Sequence, residues 1–64
     1  MRPPQEICTE LFLSKAYSCM ANGENLTISI IKARGFAARI FPEKMLDNAE
    51  LDLYDRVRAW EKIT

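Results

Sequence analysis

A chain of 64 residues with nine bases against nine acids, zero net charge and 48% hydrophobic content is one small domain, residues 1–64, and the distribution of its charges says more than their sum. The lack of histidine, and two cysteines outside any CxxC spacing, leave no plausible zinc site, and no cofactor is expected. Every apolar run falls far short of the roughly 18 residues of a membrane span, and no secretory leader is expected.

The first predicted element is a helix from Gln5 to Ala21, with Pro4 accepted in its first turn because its missing N–H has no intrahelical partner there. Ile7, Cys8, Leu11, Phe12, Ala16, Cys19 and Met20 make a broad apolar stripe, with Glu6, Glu10, Ser14 and Ser18 opposite. Lys15 falls inside the stripe and is read as snorkelling outwards. Cys8 and Cys19 share a face about 16 Å apart along the axis, beyond the roughly 7 Å a disulfide spans, so they read as buried free thiols in a reducing cytoplasm. Asn22-Gly23 supplies the stop, with Gly23 suited to a left-handed backbone.

The segment LTISIIKARGFAARIF, Leu26 to Phe41, reads as a β-hairpin. Apolar Leu26, Ile28 and Ile30 alternate with Thr27 and Ser29, β-branched side chains dominate, and alternation resumes from Phe36 to Phe41. A three-residue turn Ala33-Arg34-Gly35, with Gly35 left-handed, would face Ile30 with Ala38 and gather Leu26, Ile28, Ile30, Phe36, Ala38 and Ile40 on one side. The competing reading is a helix from Leu26 to Arg34, capped by Asn25 and ended by Gly35, which would favour a helix-turn-helix.

Pro42 to Met45 reads as a connector, and Asp47-Asn48-Ala49-Glu50 as a capping box that starts the last helix near Asn48, with Leu46 and Leu51 as its hydrophobic staple. Ala49, Leu53, Val57, Trp60 and Ile63 form the predicted inward stripe, and Trp60 is the largest candidate for the core. The fold class is therefore α+β: helix, β-hairpin, helix (αββα), with both helices on one face of a two-stranded antiparallel sheet.

Catalysis finds little support. Without histidine a hydrolase would need another base, and Cys8 or Cys19 could act as a nucleophile only beside an activating cation such as Lys15. Protein–protein contact is the leading function, as a small cytoplasmic regulator, adaptor or inhibitor and as a homodimer, because a two-stranded sheet leaves both edges unpaired. Its candidate residues are Ile31, Phe41 and Arg39 on the outer hairpin face, and Tyr54 and Arg58 four residues apart on the last helix. The second reading is nucleic-acid binding by Lys32, Arg34 and Arg39, the only charges between Asn25 and Pro42. Three cations are few for binding driven by counterion release.

Overall fold

Pro3 enters extended and Pro4 occupies the first helical position of α1 (Pro4–Ala21), where φ is already set for a helix. The computed structural model describes residues 2–63, Ile63 by its backbone alone. Helix α1 ends as its residues predict. Gly23 adopts φ +94°, its N–H reaches the Met20 carbonyl at 3.0 Å, and the Glu24 N–H reaches that of Cys19 at 3.2 Å, a Schellman closure.

The hairpin does not form. Leu26–Ala37 is a helix, α2, followed after a short turn by α3 (Glu43–Ile63), and the described residues contain no strand, so the fold is three helices rather than α+β. Three local facts explain the correction. Asn25 caps α2, its side chain accepting from the Ile28 N–H at 2.8 Å. Leu26, Ile30, Ala33 and Ala37 recur at helical spacing and pack into the core, so the segment holds a 3.6-residue pattern beneath its alternation. Gly35 stays helical, where an interior glycine costs only about 1 kcal/mol relative to alanine. A lone two-stranded hairpin is marginal in water, whereas a helix satisfies its own backbone and needs only one side covered, which α1 provides.

Helix α3 also begins earlier than its capping-box residues suggest. Pro42 ends the previous turn, and its carbonyl accepts from Met45 and Leu46 at 3.0 and 3.3 Å. The staple is absent, since Leu46 is buried and Leu51 is exposed.

Helix α1 is the central element, and its side chains fall into three adjacent rows. Cys8, Phe12 and Ala16 are fully buried, with Ala33, Ala37, Ala49 and Leu53 across from them. A second row faces α3: Gln5 donates to the Met45 carbonyl at 3.0 Å and accepts from Asn48 at 3.1 Å, while near the other end Tyr17 meets Trp60 with ring centroids 5.6 Å apart. Those contacts set α3 parallel to α1, with α2 antiparallel between them in sequence. Trp60 is exposed and lies against Tyr17 rather than in the core, and the side chain of Ile63 lies outside the described residues. No helix among the described residues is long and apolar enough to cross a membrane.

Candidate functional site

The third row of α1 is Ile7, Leu11 and Lys15, on the flank turned away from α3. Lys15 lies over the ring of Phe36 on α2, 5.7 Å from Nζ to the centroid. That contact joins the α1 row to a row on α2, Phe36, Lys32 and Ile28, and antiparallel packing carries both further: Lys32 pairs with Glu24 just past the end of α1, and Ile40 follows Phe36 towards the Ile7 end. The groove between the two helices, here the furrow, thus has Ile7, Leu11 and Phe36 along its apolar end, with Ile40 in the turn beyond α2, each 37–64% exposed, and Lys32 with Glu24 at its other end. Sequence reasoning placed all four inward. The apolar stripe of α1 was wider than two flanking helices can cover, and that excess width was the available signal.

At the corner between α2 and α3 lies an open cleft of about 450 Å³ lined by Arg34, Gly35, Ala38, Phe41, Pro42, Glu43 and Leu46. Its charge is spent internally. Arg34 reaches Asp47 at 3.0 Å, Glu50 at 3.1 Å and Glu43 at 3.8 Å. Burial opposes the charge on Arg34, yet hydrogen bonds to Asp47 and Glu50 outweigh it and raise its pKa further above the ordinary guanidinium value. The two residues read as a capping box thus tie α3 to α2.

The remaining expected site residues are scattered. Ile31 is exposed on α2, away from the furrow's apolar end, and Phe41 packs partly buried against the core. Arg39 is exposed in the turn after α2, without an ion pair among the described residues. Tyr54 and Arg58 lie together on the outside of α3. Lys32, Arg34 and Arg39 do not converge: Lys32 belongs to Glu24, whose carboxyl is held below its ordinary value by that hydrogen bond, and Arg34 belongs to the acids of α3.

Cys8 and Cys19 are buried and unbridged, and burial pushes the Cys8 thiol up, away from the thiolate a nucleophile needs. No group of three potential ligands among the described residues could hold a metal ion. No protein-family model, no curated protein and no solved structure matches this chain.

Proposed function

We propose that this protein is a non-enzymatic binding module, a small regulator, adaptor or inhibitor that works by protein–protein contact through the α1–α2 furrow and self-associates as a homodimer. The furrow carries the reading: four large apolar side chains share one flank of a 64-residue chain, and such patches mark docking surfaces more often than isolated exposed residues do. The partner in this reading is an amphipathic helix with apolar anchors at i, i+3/i+4 and i+7. Unbridged, buried cysteines fit a reducing compartment, and a cytoplasmic location is part of the proposal.

The nucleic-acid reading draws less support, because two of its three cations already neutralise carboxylates. Affinity capture with the wild-type chain and with a Leu11→Ser/Phe36→Ser variant separates the two, when proteins and nucleic acid are scored in the same eluates. A protein retained by the wild type and lost from the variant is the expected result. Identical eluates from both chains, or nucleic acid as the sole retained species, would refute the furrow.

A further inference from the structure

On the outside of α3, Asp47, Leu51, Tyr54 and Arg58 follow one another at intervals of four, three and four residues, the spacing of a helix–helix seam. All four are exposed, Leu51 by 62% and Tyr54 by 37%, and the row lies well away from Ala49 and Leu53, which face the core. Read from either end the row is the same in kind: a charge, two apolar residues, and the opposite charge. When two such helices run antiparallel about a two-fold axis, Leu51 of each copy meets Tyr54 of the other, and Asp47 meets Arg58 at both ends.

The rest of α3 leans the same way. Residues 43–50 carry three acids and one base, while the residues they would face, 55–62, carry three bases and two acids, so antiparallel copies oppose a net negative end to a net positive one and parallel copies do not. The acidic end is also short of cations. Among the described residues Glu43, Asp47 and Glu50 all pair with Arg34, so that even with Lys44 counted one negative charge is in excess, and Asp47, 61% exposed in its side chain, keeps acceptor positions open beyond the one Arg34 uses. Arg58 forms no ion pair within its own chain among the described residues.

We infer that the outer face of α3 is a homodimer interface, closed by a second copy of this chain lying antiparallel, with Leu51 and Tyr54 at its centre and two Asp47–Arg58 pairs at its ends. The inference rests on the self-association in the proposed function but not on the furrow, which lies on the flank of α1 turned away from α3. A dimer built this way presents two furrows at once, which would raise apparent affinity for any partner bearing two matching segments. The contact is small, at the low end of specific interfaces, and a dissociation constant on the order of 100 µM is expected.

Sedimentation equilibrium up to millimolar concentration tests it on the wild type, Asp47→Arg, Arg58→Asp and the swapped double variant D47R/R58D, with circular dichroism confirming helix content. The wild type should dimerise, each single change should weaken dimerisation about tenfold, and the swap should recover most of the loss. Leu51→Asp, at a position exposed in the monomer, should abolish it even if a charge change near Arg34 disturbs folding. A wild type that stays monomeric, single changes without effect, or a swap that recovers nothing overturns the inference. Dimerisation lost in Leu11→Ser/Phe36→Ser but kept in Leu51→Asp assigns the contact to the furrow and overturns the α3 interface while leaving docking at the furrow intact.

Discussion

Replacing Gly35 with alanine should stabilise the protein, and the sign of that effect distinguishes the observed fold from a hairpin. Gly35 lies two residues before the end of α2 with a negative φ, and a Cβ built there meets nothing within 4 Å. With no clash to oppose it, the change should add about 0.5–1 kcal/mol from helix propensity and reduced freedom of the unfolded chain. In a domain of this size 1 kcal/mol moves the melting midpoint by about 4–8 °C, so a rise of several degrees is expected, with a matching shift of the urea midpoint and an unchanged slope. Gly23→Ala provides the opposite sign within the same molecule. At φ +94° a side chain costs roughly 1–2 kcal/mol, so the midpoint should fall. Had Gly35 turned a hairpin in the left-handed region, both alanines would destabilise. A lower midpoint for Gly35→Ala, read by far-UV circular dichroism, would therefore refute the helical assignment of Leu26–Ala37.

Arg34→Ala should destabilise by about 1 kcal/mol at low salt, because it leaves Glu43, Asp47 and Glu50 repelling one another, and the loss should shrink at high salt since those carboxylates are partly exposed; urea midpoints at two ionic strengths check it, and a salt-independent loss would contradict the ion-pair account. Native Cys8 should react with a thiol reagent only as fast as the protein opens, so rapid labelling in the absence of denaturant would contradict its burial. Because folding raises the Cys8 pKa, the associated stability is whole below the unfolded thiol value and declines as pH rises through the folded one, which a Cys8→Ala control should remove from the pH profile.

Several parts of the chain were legible one residue at a time. The Pro4 start of α1, the Gly23 stop and the buried thiols each follow from a local preference that no neighbouring element contests. The middle segment was different, because it satisfies two periodicities at once. Leu26, Ile28 and Ile30 alternate as a strand would, and Leu26, Ile30, Ala33 and Ala37 repeat as a helix does. Asn25 as a cap was visible, but its weight against a run of β-branched residues depended on whether another helix would cover the Ala33–Ala37 side. The Asp47–Glu50 pair was similarly ambiguous: within one segment it is a capping box, and beside Arg34 it is an interhelical ion cluster.

The sequence by itself thus determined the first helix and that helix's end, and the charge pattern along the last helix, since these depend on residue type and near neighbours. Tertiary packing decided the rest. It chose helix over strand for Leu26–Ala37 by offering α1 as a surface, turned Arg34 inward to three acids, and left Ile7, Leu11, Phe36 and Ile40 outside because α2 and α3 together cover only part of α1's apolar circumference. The physical reason is that a side chain's local preference amounts to a few tenths of a kcal/mol up to about 1 kcal/mol, whereas burying one large apolar side chain contributes about 1.5–3 kcal/mol, so the available partner surface wins wherever local signals conflict.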